Sequence, residues 1–536
     1  MLDDLGAYIV VCQLSCQQVG ELVGAMASMD HDMDEYVSDS ESQSPQPVRR
    51  RPAAAVRRRP AAAQASSNID RVEDSSDVES NTDGDCMSDG TNDSTDDMAR
   101  EIVSSNAEEA VAFSLGKLGQ DVCGLIHRAF NGSVNLGTLC SGLDVIAIGT
   151  REIQKTWQKT TKLPPMLFKH VFACESVEEK RDLSNAEVVW RDVVEVGSGK
   201  AYDVRAKSNE PTIGCDILVA GFSCKDFSFL NNSPVDFKNK TGKSGSTYWG
   251  VQRYIKNHRP RIVVLEIVKA ITSVRKLHGS GDRAPSCTIL TELRAQGYAC
   301  GFKIFNTHDF GLPQRRTRCY IIGIKQNDIH ATDSAIPDPA AAMAFDHAAK
   351  LKCHAPPLDD FMSGALPPKK RRGNQRETWR AKHKKAMQKF DITDEEVDDM
   401  MASNEFQLQP KHGRTERMMH LTAVHYVRWK KQGMNPFTTP LVMQICQSCS
   451  RVPTARGECP CVTPRGEYWV SNAGVFLTAY DKLALQGVTH HMQEQLGLDK
   501  LKPNLVGDLA GNAFSMSVIN AVVLGAMASW AERQGC

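Results

Sequence analysis

The residues with the clearest chemical potential stand at the ends of short apolar runs. Asp216-Ile-Leu-Val-Ala-Gly-Phe-Ser-Cys224-Lys225 puts a thiol just past such a run, beside a lysine and ahead of a polar loop that includes Ser228. A thiol at a strand-to-helix turn near positive charge can ionise and act as a nucleophile; a cysteine that merely packs is the plainer alternative. The next apolar run ends in Glu266. Adjacent parallel strands would set Cys224 and Glu266 side by side, a nucleophile next to an acid, which suits addition to an electrophilic ring. Three further strand ends carry polar groups. The turn Cys140-Ser141-Gly142-Leu143-Asp144 lets a ligand approach the backbone. Glu175 could accept from the two hydroxyls of a ribose, and Asp192 from an adenine amino group, although an acid at a strand end is also a routine helix N-cap. A three-glycine pyrophosphate loop is missing, so a nucleoside cofactor without phosphates fits better than a dinucleotide. Finally, Cys446, Cys449, Cys459 and Cys461 fall within sixteen residues. They suggest a tetrahedral zinc site in a small ribbon, against the alternative of two pairs of reduced thiols.

The elements that must position these groups read as α/β. Ser133–Cys140, His170–Cys174, Asp216–Gly221, Arg261–Leu265 and Cys319–Ile324 are continuously apolar, as strands covered on both faces are. Their spacing leaves room for a crossover helix each time, which predicts a doubly wound, mostly parallel sheet. In such sheets the ligand site lies outside the carboxyl ends of the strands, where the polar residues above are found.

The chain of 536 residues carries 64 Lys+Arg and 64 Asp+Glu, so its formal charge is zero. That average hides two unlike parts. Residues 1–110 hold 23 acids against 8 bases, and the remainder 41 against 56. The leader has almost no aromatics and no usable hydrophobic period, so disorder is expected there. Within it Val48–Ala55 is repeated as Val56–Ala63, a tandem Val-Arg-Arg-Arg-Pro-Ala-Ala-Ala. This basic repeat and Lys369-Lys370-Arg371-Arg372 suit nuclear import or a nucleic-acid groove, against the reading of a solvated linker. The acidic start lacks the basic region of a secretory signal, and the composition predicts no membrane-spanning helix. Seventeen cysteines, mostly scattered, favour reduced thiols.

Taken in order, these residues resemble the cytosine-C5 methyltransferase family. Asp216–Ser228 is similar to the motif built around Pro-Cys-Gln, and Leu265-Glu266-Ile267-Val268 to Glu-Asn-Val. Asn306–Gly323 contains Asp-Phe-Gly-Leu-Pro-Gln-Arg-Arg-Thr-Arg and reproduces the family's Gln-x-Arg-x-Arg block at Gln314, Arg316 and Arg318. Leu477-Thr478, Leu485-Gln486-Gly487 and Gly511-Asn512-Ala513-Phe514-Ser515 resemble the two C-terminal motifs, the last read as opening a final helix. The resemblance covers roughly residues 131–325 and 470–530 and implies the S-adenosylmethionine-dependent methyltransferase fold, with a smaller target-recognition domain. It implies a leader at 1–110, a catalytic core at 111–325, a recognition region at 326–470 and a core-completing segment at 471–536. It also implies Cys224 as nucleophile, Glu266 as the acid on the base, and Arg316 and Arg318 as catalytic arginines. Gln314, Lys225 and Ser228 are implied as substrate contacts. S-adenosyl-L-methionine would lie against Cys140–Leu143, Glu175, Asp192, Ser223, Asn512 and Phe514. The implied partner is DNA, with tRNA as an alternative, and the leader could bind basic chromatin partners. The chain departs from the pattern at Ser223 (Pro in the family), Lys225 (Gln), Ile267 (Asn), Cys140 (Phe), Asp144 (often Gly) and Ala484 (Arg). An inactive nucleic-acid-binding homologue is therefore the alternative to an enzyme.

Overall fold

The computed structural model describes residues 105–223, 242–273, 284–326, 336–364, 379–411 and 413–535. Cys224, Lys225, Ser228, the tandem octapeptide and Lys369–Arg372 lie outside the described residues. The main strands are β1 (Ser133–Leu139), β2 (Leu167–Cys174), β3 (Val188–Trp190), β4 (Lys200–Asp203), β5 (Ser208–Pro211), β6 (Ile217–Ala220), β7 (Ile262–Val268), β8 (Tyr298–Asn306), the two-residue β9 (Gln314–Arg315) and β10 (Thr317–Lys325). Among the described residues one sheet holds nine of them in the order β5-β4-β3-β2-β1-β6-β7-β10-β8. The run from β3 through β2, β1 and β6 to β7 is parallel. The chain leaves β1 toward β2 and later returns to β6 on the other side. A topological switch point therefore lies between β1 and β6, where a ligand crevice is expected.

Both faces of this sheet are covered, as the unbroken apolar runs require. Ile217, Val219, Ile262, Val264 and Ile322 join one core with the helices Val145–Thr161, Pro339–Lys350 and Met516–Arg533. Their neighbours Leu218, Ala220, Val263, Leu265 and Ile321 join the other, under Gly242–His258 and Pro285–Ala295. One strand differs from its expected direction. The run Cys319–Ile324 lies in β10, which is antiparallel to both β7 and β8. Between β8 and β10 lie only a 3-10 turn at Thr307–Asp309 and the two-residue β9, too short for a crossover helix, so the chain folds back. The β4–β5 hairpin was not legible because β5 is Ser-Asn-Glu-Pro, polar and largely exposed.

A third core joins the helices Trp379–Lys389, Asp394–Ala402 and Glu416–Lys431 to a small sheet. That sheet comprises β11 (Leu441–Gln444), β12 (Thr454–Arg456), β14 (Tyr468–Val470) and β15 (Val475–Phe476), in the order β12-β11-β14-β15. Between β12 and β14, β13 (Cys459–Pro460) leaves it and pairs in parallel with β9. The segment Pro503–Arg533 has the length and apolar composition of a membrane span, which the sequence reading did not anticipate, but it is mostly buried inside the fold. The chain breaks at Ala513–Ser515, so Gly511-Asn512 closes the helix Pro503–Asn512 and Met516 opens the last one. This corrects the expectation that Gly511 begins the final helix.

Candidate active site

The cofactor-side residues gather at the switch point. After β1 the chain turns sharply, with Cys140, Gly142 and Asp144 all at positive φ (55°, 56° and 59°). Asp144 tolerates this because both its carboxylate oxygens are engaged, one by the Thr138 hydroxyl at 2.7 Å and one by Ser184 at 2.9 Å. Its presence where the family often has glycine is thereby explained. The turn is pinned to the end of β2: Ser141 N–H donates to Cys174 O, and Gly142 N–H to Glu175 Oε2 at 2.9 Å. Glu175 Oε1 accepts from Val177 N–H at 2.9 Å. Oε1 also accepts from the Ser176 hydroxyl at 3.3 Å, whereas Oε2 has a second lone pair, so the acid is oriented but not used up. Asp192 is exposed and caps the helix Val193–Ser198 through Val194 N–H at 2.7 Å. Burial, then Glu175 and Asp192, push the Cys140 thiol up to about 12, so it stays neutral.

Past β6, Phe514 lies over Gly221, where an added Cβ would come within 2.7 Å of the ring. Ser223 N–H donates to Thr247 Oγ1 at 3.2 Å. Leu143 is buried in the core, so only its backbone borders the crevice. Asn512 is exposed, and its amide donates back to Asp508 of its own helix. The backbone turn, the oriented Glu175 and the Phe514 ring form a cradle that fits a nucleoside bearing an uncharged diol.

The second half of the site lies across β7 and β10. Ala220 of β6 is in register with Leu265 of β7, so Gly221, three residues before Cys224, borders Glu266. β6 and β7 are paired in parallel as far as Ala220 and Leu265, and Cys224 itself lies outside the described residues. Glu266 is 8% exposed, and Arg318 Nε lies 3.2 Å from its Oε1. Yet that buried oxygen takes no hydrogen bond. The ion pair is close but not aligned as a hydrogen bond, which leaves this oxygen with acceptor capacity among the described residues.

The Gln314–Arg318 block is tied residue by residue to the segment 458–462. Gln314 is fully buried; its Nε2 donates to Leu485 O at 2.7 Å and its Oε1 accepts from Val462 N–H at 3.0 Å. Gln314 thereby fastens this block to the segments at 462 and 485. Arg315 pairs with the buried Glu458. Arg316 is also buried, donating to the carbonyls of Val462 (3.1 Å), Gly511 (3.3 Å) and Ala513 (2.8 Å). Burial and the neighbouring Arg318 pull its pKa down. Arg316 therefore ties the segments at 462 and 511–513 to this block, while its buried Nε takes no hydrogen-bond partner among the described residues. Arg318 is the arginine beside Glu266; burial opposes its charge, but Cys461 and Glu266 more than restore it.

The four expected zinc ligands do not converge. Cys446 is exposed, whereas Cys449 is buried in the third core. Cys459 pairs with Gln314 in the β9–β13 ladder, and Cys461 faces Arg316 and Arg318. Among the described residues no group of three or more His, Cys, Asp or Glu is placed to hold a metal. The segment leaves the small sheet at β13 to pair with β9, and that separates the two thiol pairs.

The comparisons with known proteins agree with this geometry. The DNA (cytosine-5-)-methyltransferase DMT5 of Cryptococcus neoformans var. grubii is 24% identical over 443 residues, 76% of this chain and 17% of the relative. The type II methyltransferase M.NgoBI of Neisseria gonorrhoeae is 37% identical over 112 residues, 21% of this chain and 32% of that protein. M.HaeII of Haemophilus aegyptius is 35% identical over 152 residues, 28% of this chain and 44% of its own length. The chain thus spans less than half the length of these relatives. A sequence model of C-5 cytosine-specific DNA methylases matches residues 135–452, more than half of the chain, and the chain therefore belongs to that family.

Proposed function

We propose that this protein methylates C5 of cytosine in DNA. The observation that carries the reading is the buried Glu266–Arg318 pair, its acceptor oxygen unfilled, on the strand next to the one that leads to Cys224. S-adenosylmethionine, when bound, supplies an electrophilic methyl group. Glu175 would hold its ribose hydroxyls, Asp192 the adenine edge, and Phe514 a flat face of the ligand.

Cytosine C5 is too weak a nucleophile to react unaided. Cys224 would add through sulfur to C6, which gives C5 enamine character. Glu266 would hydrogen-bond N3 and the exocyclic amine and draw electron density from C6. Arg318 would bind the base carbonyl, held in place by Glu266. Once C5 carries the methyl group that S-adenosylmethionine would supply, loss of the C5 proton re-forms the ring double bond and expels the Cys224 thiolate. A ring inside a duplex is out of reach of these groups, so the nucleotide must be flipped out. The exposed cations Arg380, Lys382, Lys384 and Lys385 on the helix Trp379–Lys389 supply a phosphate-facing surface, while His383, Ala386 and Met387 anchor its other side. The basic clusters at 49–59 and 369–372 support action in the nucleus, and the acidic leader is a surface for basic chromatin partners.

The test is methyl transfer from labelled S-adenosylmethionine to duplex DNA and, in parallel, to tRNA, with Cys224→Ala as control. Incorporation into DNA that vanishes in the variant is the expected result. Incorporation into tRNA alone overturns the choice of substrate. A wild-type chain that labels neither is a binding homologue.

A further inference from the structure

The reaction above has no use for Cys461, yet this thiol sits at the centre of the base-side half. Its sulfur is 3.9 Å from Arg316 Nη1 and 3.8 Å from Arg318 Nη2, both within hydrogen-bonding range for sulfur. Arg318 is thereby engaged at three nitrogens: Nε with Glu266, Nη1 with Thr317 O at 2.9 Å, and Nη2 with Cys461. Beside it lies the buried Glu266 oxygen, which takes no hydrogen bond among the described residues. We propose that Cys461 is a positioning residue of the base pocket: a thiolate that, together with Glu266, fixes the Arg318 guanidinium for the substrate carbonyl.

The Cys461 sulfur also lies 3.8 Å from Val462 O, which can accept only from the neutral thiol, but the two guanidinium groups favour the charged form. Burial works against it, but Arg318 and then Arg316 outweigh burial and hold the Cys461 pKa below the ordinary thiol value. The other titratable groups facing it are Cys459 and Tyr468. Burial drives both of their pKa values up, so both remain neutral and neither adds a competing charge near pH 7. A thiolate also resolves a problem of charge. Two neighbouring buried guanidinium groups with Glu266 alone would leave one positive charge uncompensated. Cys461 is moreover fixed from behind, since Tyr468 OH donates to its carbonyl at 2.7 Å and β13 docks on β9. The recognition region thus contributes a side chain to the pocket.

This inference rests on the proposed methyl transfer, and two measurements keep their failures apart. The first does not use activity. The full chain is treated with iodoacetamide across a pH series, and alkylation of the peptide containing Cys461 is followed by mass spectrometry. The reaction should inflect at lower pH than that of a cysteine in an unstructured peptide. An inflection at or above the free-thiol value overturns the proposal even if the enzyme is fully active. The second compares Cys461→Ser with Cys461→Asp in methyl transfer to DNA. The neutral serine, nearly isosteric, should lower kcat about tenfold with KM for S-adenosylmethionine unchanged. It should also remove the acid limb that wild type shows as the thiolate is protonated. Aspartate, which restores the anion, should recover part of the rate. If serine matches wild type in kcat and pH profile, the thiol only packs and the proposal fails. If neither variant folds, the alkylation series on the wild-type chain decides.

Discussion

The two halves of the site are built in opposite ways. On the cofactor side most of the polar groups are held by backbone close in the chain or one strand away, Asp144 being held by the Thr138 and Ser184 hydroxyls. Asp192 is bound by Val194, Glu175 by Val177 and Gly142, and Ser141 by Cys174. On the base side nearly every contact joins distant segments: Arg315 to Glu458, Gln314 to Leu485 and Arg316 to Ala513. The first half is therefore a set of local turns that the parallel sheet brings together. The second exists only once the segment around 458–462 and the C-terminal segment have docked. Damage to the cofactor side should stay local, whereas damage to the base side should spread.

Glu266→Gln tests the chemistry of the base side and carries the largest expected effect. Glutamine keeps the size of the side chain but neither donates a proton nor balances Arg318. Methyl transfer should fall about 10³-fold, within the range for loss of a positioned acid. Binding of S-adenosylmethionine, measured by calorimetry, should stay within a factor of about three. A large loss of cofactor affinity would show that the two halves are not separable.

Arg316→Met tests the spreading of damage. The substitution keeps apolar bulk but leaves the carbonyls of Val462, Gly511 and Ala513 buried without their donor. At about 1–3 kcal/mol for an abandoned buried polar group, partly relieved by local shifts, the fold should lose about 3 kcal/mol. Chemical denaturation would show it. Loss of activity with unchanged stability would instead mean that Arg316 meets the substrate directly.

This division also explains what was legible in the sequence. The strands β1, β2, β6 and β7 announce themselves because burial on both faces demands unbroken apolar runs. Glu175 and Asp192 follow because the parallel topology fixes where strand ends point. The Gln314–Arg318 block was legible as a pattern, but the partners of its side chains were not. The fold shows Gln314 donating to Leu485 O, and Arg316 donating through both terminal nitrogens to the backbone of segments more than 140 residues away. Cys461 was read with Cys446, Cys449 and Cys459 because thiol spacing is the only local signal those residues carry. Nothing in sixteen residues of sequence reveals that β13 leaves its sheet to pair with β9. The direction of β10 was hidden for a related reason, since a buried antiparallel strand is as continuously apolar as a parallel one.

Gly221→Ala probes the one place on the cofactor side where a distant residue intrudes. The new methyl would stand 2.7 Å from Phe514 Cε1, closer than packed carbons allow. Either the ring swings away or β6 shifts, at about 1–3 kcal/mol for overpacking. The dissociation constant for S-adenosylmethionine should rise about tenfold, with DNA binding retained. An unchanged constant would remove Phe514 from the cofactor pocket.

Asp192→Ala should do least, and its smallness is informative. The aspartate is exposed and caps a six-residue helix through one short hydrogen bond to Val194 N–H. Loss of such a cap costs about 1 kcal/mol of stability. The effect should be confined to that helix, because its other neighbours keep their own partners. If Asp192 also accepts from the adenine edge, S-adenosylmethionine binding should weaken as well, and Asp192→Asn separates the two roles. Asparagine retains an N-cap acceptor, so stability should return nearly to wild type. Its amide can still accept through oxygen but no longer bears charge, so cofactor affinity should recover only in part. Full recovery of both would reduce Asp192 to a cap and leave Glu175 as the only acid that the cofactor meets.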